Sequence, residues 1–241
     1  QWASIYGANL TDILEPSFLR DGFIYFSLPL LSILGIHEMG HYLTSKKHNL
    51  DSSLPYFIPL PPPFILGTFG ALISTREPIP NRKTLLDVGI SGPLAGFFVA
   101  IPVCFIGLFL MQSNPILPTG TEESFVIVFP LLLQGISSFF TIPQEAVIHP
   151  TLFAGWVGLF LTSVQLLPIG QLDGGHVSRA LLKEKSKYMG YIVIAMILIL
   201  GLFFTGWLFF AFVIFFLIGT KHQPPLNEVT PLDNKRKALA I

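Results

Sequence analysis

The sequence predicts an all-α polytopic membrane protein with about five transmembrane helices and a small membrane-edge β-hairpin or strand near residues 66–74. Three observations carry that expectation. Hydrophobic residues make up 51% of the 241 and charged residues only 12%, with a mean hydropathy of +0.66, a balance that argues strongly against a soluble domain. Several apolar stretches reach the roughly 20 residues that a helix needs to cross a bilayer. Basic residues collect in alternate connections, as the sorting of loops by charge across a membrane requires. The formal net charge is zero, so nothing points to nucleic acid or another polyanion, and the partner expected from composition is the lipid bilayer. The single cysteine, Cys104, lies in an apolar run and forms no internal disulfide. The length suits one membrane-embedded domain over residues 1–241, with a core at about 22–183, a helical hairpin at about 188–219 and a cytosolic tail at 220–241. No cleavable signal peptide is read, and Gln1 in place of Met fits a processed or truncated chain.

Four regions are apolar enough to span, roughly 22–45, 85–111, 151–178 and 188–218. A shorter stretch, Phe125–Phe140, contains Pro130, Gln134 and Gly135 and reads as interfacial or re-entrant. The last region is too long for one ordinary helix. Its middle, Gly201 to Trp207, mixes Gly, Thr and aromatics as an interfacial turn does, which divides it into spans at about 188–202 and 204–219. Charge decides between four spans and five. Lys46, Lys47, Arg76, Arg82 and Lys83 lie between spans one and two, and no Lys or Arg occurs from 112 to 150. Arg179, Lys183, Lys185 and Lys187 follow span three, and Lys221, Lys235, Arg236 and Lys237 occupy the tail. Five spans put every basic connection on one side, the cytosolic one.

Chemistry enters in span one. His37-Glu38-Met39-Gly40-His41 is an HExxH, whose two His stand one helical turn apart and can share one Zn²⁺, with Glu38 beside it as a candidate general base for water. The expected third ligand is Asp173, in Leu167-Pro-Ile-Gly-Gln-Leu-Asp-Gly-Gly-His176, at the matching end of span three. A carboxylate there is costly unless it is paired or metal-bound. Two His and one carboxylate leave a fourth tetrahedral position open, the catalytic arrangement for zinc. Pro168, Gly170, Gly174 and Gly175 loosen that helix locally, which membrane depth tolerates only where backbone faces a wet cavity. The segment Leu66–Ser74 suits a strand whose edge could pair with an unwound substrate and hold it extended beside the metal, through Gly67, Thr68, Phe69 and Gly70. The preceding Pro55–Pro63 cannot be helix and is expected to act as a stiff connector.

The HEMGH motif, Gly-Pro-Leu-Ala-Gly at 92–96, and Leu-Leu-Pro-Ile-Gly-Gln-Leu-Asp-Gly-Gly at 166–175 together resemble the site-2 protease family of intramembrane zinc metalloproteases. Gly67-Thr-Phe-Gly70, Ile79-Pro-Asn-Arg82 and His149-Pro150 are closer to its plastid, cyanobacterial and archaeal branch. The likeness runs from about residue 31 to 182. It implies one zinc ion held by His37, His41 and Asp173, Glu38 as base, and hydrolysis of a peptide bond within a transmembrane protein substrate already trimmed by another protease. The charge pattern of the connections makes the chain an integral multi-pass protein with its active site towards the cytosolic side, in the plasma membrane if prokaryotic. Where family members carry an Asn that helps hold the substrate or the oxyanion, this chain has Gln165, with the same carboxamide one methylene further out.

Blander readings stand beside these. His176 is expected to face the interface, His149 with Glu145 to form a solvated loop pair, and Asp87 to be a charge at a helix start. The Gly92–Gly96 pair reads as close helix packing rather than catalysis. The competing function is a proteolytically inactive zinc-binding scaffold of the same family. A metal transporter would need polar residues through the full depth of several helices, whereas here they cluster at one end.

Overall fold

Two prolines shape the first helix, α1, which runs over Pro16–Lys47. Pro16 opens it, at a position where its missing N–H costs nothing. Pro29 lies inside it and has no N–H to give the carbonyl of Tyr25. Just upstream, Phe23–Ser27 widen into a π-turn, and the freed Tyr25 carbonyl accepts the Thr151 hydroxyl at 2.9 Å. At its far end α1 stops in a Schellman turn. Asn49 takes a left-handed conformation (φ 58°), its N–H reaches the Lys46 carbonyl, and Leu50 N–H reaches that of Ser45.

The computed structural model describes residues 15–59, 68–72, 77–115, 128–143, 146–219 and 222–239. Strands β1 (Tyr56–Pro59) and β2 (Thr68–Leu72) pair in a two-stranded sheet. The strand expected near 66–74 is therefore present in its middle, while 66–67 and 73–74 lie outside the described residues. The proline-rich connector supplies the partner strand from its first half.

Helix α2 covers Arg82–Ser113. The Asn81 side chain caps it by accepting the N–H groups of Lys83 and Thr84, both at 3.0 Å. Helices α1 and α2 are long and apolar enough to cross a membrane, and fully buried residues make up only 17% and 33% of their apolar stretches. Phe98, Phe105 and Phe109 each stand more than half exposed, which is costly in water and ordinary in lipid. The short α3 (Leu131–Ser137) spans two turns, too few to cross, in keeping with the reading of this stretch as interfacial or re-entrant.

The third apolar region departs from expectation. Instead of one helix over 151–178, α4 (Pro150–Gln165) ends early and α5 (Asp173–Leu182) begins anew. Pro168 is the cause. It leaves the Val164 carbonyl without its helical donor, and Leu167 N–H takes that carbonyl in a tighter turn at 3.1 Å. Gly170 then turns the chain with φ 48°. At 16 residues, α4 is about 24 Å long. Helices α6 (Ser186–Leu200) and α7 (Gly206–Val213, prolonged by a π-turn over Ile214–Ile218) follow, with the turn between them where Gly201–Trp207 predicted it.

The chain divides into two compact units. The first comprises Gln1–Ile36, Phe57–Ala71 and Gly96–Phe160. Its core gathers Ile33, Ala100, Cys104, Leu108, Leu133, Leu152 and Leu159. Helices α2 and α4 touch there backbone to backbone. A Cβ on Gly107 would lie 2.3 Å from the Leu152 nitrogen, and one on Gly155 would lie 2.6 Å from Cys104 Sγ.

The second unit comprises His37–Tyr56, Leu72–Ala95 and Leu161–Ile241. One cluster packs Leu85, Leu86 and Ala180 around Leu232, and another packs Ile197, Ala211 and Ile214 around Ile169. Ile169 thereby plugs the α4–α5 break into the α6–α7 hairpin. Arginines stitch this unit. Arg82 donates to the carbonyls of Ala180 (2.7 Å) and Leu181 (3.2 Å), capping the end of α5, and Arg179 pairs with Glu228. Residues 222–239, expected as a cytosolic tail, dock on this unit. Leu226 and Asn227 N–H groups bond the carbonyls of Ile79 and Pro80, both at 2.9 Å, before α8 (Asn234–Leu239) closes the segment.

Candidate metal centre

The four-residue spacing of His37 and His41 places both rings on one face of α1. Their Nε2 atoms stand 3.2 Å apart. Asp173, the first residue of α5, reaches both with one oxygen: Oδ2 lies 3.1 Å from His37 Nε2 and 3.2 Å from His41 Nε2. The start of a helix favours the negative charge of that carboxylate. These donors form a nearly equilateral triangle. Tetrahedral zinc, with bonds of about 2.0–2.1 Å, sets neighbouring ligand atoms about 3.4 Å apart, so the triangle fits a zinc ion with only a small expansion. His37, His41 and Asp173 are, among the described residues, the one group of His, Cys, Asp and Glu arranged to hold a metal.

Neighbouring backbone orients the set. His41 Nδ1 donates to the Val88 carbonyl of α2 at 2.8 Å, which fixes the ring's tautomer and leaves Nε2 with its lone pair towards the triangle. Ser91 Oγ donates to the same carbonyl at 2.9 Å. Helix α2 comes this close because its facing residues are small. A Cβ on Gly92 would lie 2.0 Å from His41 Nε2, and one on Gly40 of α1 would lie 2.5 Å from the Ser91 carbonyl oxygen. The Gly pair after Asp173 does the same for α5. Cβ atoms there would lie 2.0 Å from the Leu166 carbonyl oxygen (Gly174) and 2.2 Å from that of Gly170 (Gly175). Glu38 is half-buried on α1, next to His37 and within electrostatic reach of all three donors.

A model of Peptidase family M50 matches residues 25–205, three quarters of the chain. The chain belongs to peptidase family M50. The M50 match contains both the HExxH and the Asp173 motif, and the resemblance to site-2 proteases is borne out. Among similar proteins, "Probable zinc metalloprotease EGY1, chloroplastic" of Arabidopsis thaliana is 32% identical over 90% of this chain and 41% of its own length. Its namesake in Oryza sativa subsp. japonica is 33% identical over 91% of this chain and 39% of its own. "Probable zinc metalloprotease EGY2, chloroplastic" of Arabidopsis thaliana is 29% identical over 92% and 40%. The chain thus spans about two fifths of the length of the relatives it matches.

Each of the other residues read from the sequence has its own local setting. Gln165 closes α4, half-buried and outside the donor triangle. Thr68, Phe69 and Gly70 lie in β2, and Gly67 lies outside the described residues. His176, expected to face the interface, is half-buried. Its Nδ1 donates to the Leu172 carbonyl at 3.0 Å and its ring packs on His222. His149 Nδ1 accepts the Thr151 N–H at 3.2 Å, capping the start of α4, and burial lowers its pKa so that it stays a neutral acceptor. Its suggested partner Glu145 is outside the described residues. Gly92 combines helix packing with a place beside the candidate metal site: the space it leaves holds the His41 ring. Asp87 binds His48 Nε2 at 2.9 Å and the Arg236 guanidinium. The Val88 carbonyl carried no sequence signal, because any residue supplies one. The Asp87–Arg236 pair carried none either, being 149 positions apart.

Proposed function

We propose that this chain is an intramembrane zinc endopeptidase that hydrolyses a peptide bond within a transmembrane segment of a membrane-protein substrate. The observation that carries the proposal is the His37–His41–Asp173 triangle, with Glu38 at its side, in a member of family M50. His37, His41 and Asp173 would hold the ion. Bound zinc supplies Lewis acidity, lowering the pKa of water towards ~7 and polarising the scissile carbonyl. Glu38 takes the proton of the attacking water and returns it to the leaving amine. The Val88 carbonyl keeps His41 in the tautomer that offers Nε2. A substrate helix must first unwind, since its own turns shield its peptide bonds. Strand β2 offers backbone for an unwound segment to pair with, and Gln165 is the candidate carboxamide for positioning it.

The protein is a multi-pass membrane protein with five spans, α4, α6 and α7 joining α1 and α2, and with the site towards the cytosolic side. The charge pattern supports this topology. Its substrate has already been shortened by another protease, as the family resemblance implies.

The decisive experiment compares wild type with Glu38→Gln in detergent, using a model transmembrane substrate and measuring zinc content in both. Zinc retained with cleavage lost is the expected result. Cleavage that survives Glu38→Gln would overturn the mechanism, and a wild type that binds zinc but never cleaves would favour the scaffold reading. Asp173→Ala should lose zinc; stoichiometric zinc in that variant would remove Asp173 from the ligand set.

A further inference from the structure

The residues that set His41 are themselves held by the docked C-terminal segment. Asp87 directly precedes Val88, whose carbonyl binds His41 Nδ1. Three contacts fix the Asp87 carboxylate. Arg236 grips it with two donors, Nε to Oδ1 at 2.8 Å and Nη2 to Oδ2 at 2.7 Å, the planar fork arrangement that only Arg provides. His48 Nε2 adds the third, to Oδ2 at 2.9 Å. Arg236 is itself aligned by Asp233, which also accepts its backbone N–H at 2.8 Å. His48 sits just past the last turn of α1, the helix that carries both metal-binding His. Its Nδ1 lies 3.3 Å from Thr84 Oγ1 on α2. One carboxylate therefore joins the end of α1, the first turns of α2 and the C-terminal segment, one residue from the carbonyl that orients His41.

We propose that Arg236 is a positioning residue for the metal centre, acting through Asp87 to hold the Val88 carbonyl where it orients His41. This rests on the zinc reading of the triangle. The C-terminal segment is then part of the machinery. With the Arg236 fork gone, Asp87 keeps His48 alone among the described residues, the first turns of α2 gain freedom, and the hydrogen bond to His41 Nδ1 lengthens.

The test uses the full chain in detergent. Zinc loss to a chromophoric chelator is timed, and the visible spectrum of the cobalt-substituted protein reports ligand geometry. Arg236→Gln and Asp87→Asn should release zinc about 3- to 10-fold faster than wild type, at or just below the roughly 10-fold lower limit for a group that directly supports a metal ligand because Arg236 acts one step further away, with an altered cobalt spectrum and unchanged helical circular dichroism. Arg236→Lys should recover part of the loss, and Lys235→Gln, next to it and exposed, should match wild type. Wild-type zinc release and an unaltered cobalt spectrum in Arg236→Gln would overturn the proposal. Should that variant fail to fold, His48→Phe, which removes the other donor to Asp87, decides by the same two readouts. A wild-type chain that holds no zinc overturns the zinc reading and the positioning role together, before any variant is compared.

Discussion

Gly92 of α2 stands so close to His41 of α1 that an added methyl group would lie 2.0 Å from the ring's Nε2. A position that looks like helix packing therefore also shapes the candidate metal centre. Gly92→Ala should push the imidazole off the triangle. Overpacking of this kind costs about 1–3 kcal/mol, roughly a 5- to 150-fold loss of zinc affinity. Competition with a zinc-selective dye measures it, and an affinity equal to wild type would show that the ring has another place to go.

Pro29 and Thr151 should be coupled. Thr151→Val removes the donor to the Tyr25 carbonyl, at about 0.5–1.5 kcal/mol. In a Pro29→Ala background that carbonyl regains a helical N–H, so the same substitution should cost clearly less. Unfolding of the four proteins in detergent completes the cycle. Additive costs would disconnect the two residues.

Arg82→Gln takes both side-chain donors from the carbonyls that end α5. The expected loss is roughly 1.5 kcal/mol, seen as a lower midpoint of thermal unfolding. Arg82→Lys should recover only part of it, because an ammonium group cannot reproduce the fork. Full recovery by Lys would mean that charge alone is at work.

Docking of residues 222–239 should weaken in acid. The pKa of His222 is pushed down to about 4, first by burial and then by His176 beside it. The undocked ring has its ordinary value near 6.5. Above pH 6.5 both states are neutral and docking is complete. As pH falls from there towards 4 the undocked state takes up the proton, so the stabilisation is progressively lost. Amide hydrogen exchange across this segment at pH 7.5 and pH 5, corrected for intrinsic rates, should show lower protection at pH 5. Equal protection would mean that the ring stays solvated.

The sequence made the centre legible because its residues announce themselves. HExxH is a helical spacing, and Asp173 is one of few carboxylates among apolar stretches. The turn at Gly201–Trp207 was legible for the same local reason. The break at 166–172 was only half legible. Pro168 and its glycines suggested loosening, but whether a helix bends or restarts depends on tertiary partners such as the hairpin side chains that take up Ile169. The fate of the tail was not legible at all. Its basic residues read as a solvated, charge-sorted end, yet Arg236 is committed to Asp87, and such long-range pairing leaves no periodic trace in one sequence.

The π-turn at Phe23–Ser27 has a consequence for how α1 tolerates length changes. A π-turn holds one residue more than the regular spiral, and one residue corresponds to about 100° of rotation. Deleting a single residue there lets the strip revert to ordinary winding, so the missing step is absorbed locally. Downstream, the angular phase of His37 and His41 is untouched. The same deletion between Leu30 and Ile36 would turn Leu30 and everything before it by about 100° relative to the two imidazoles. Within this helix the π-turn is thus the place where evolution, or a protein engineer, can remove a residue without rotating the histidines.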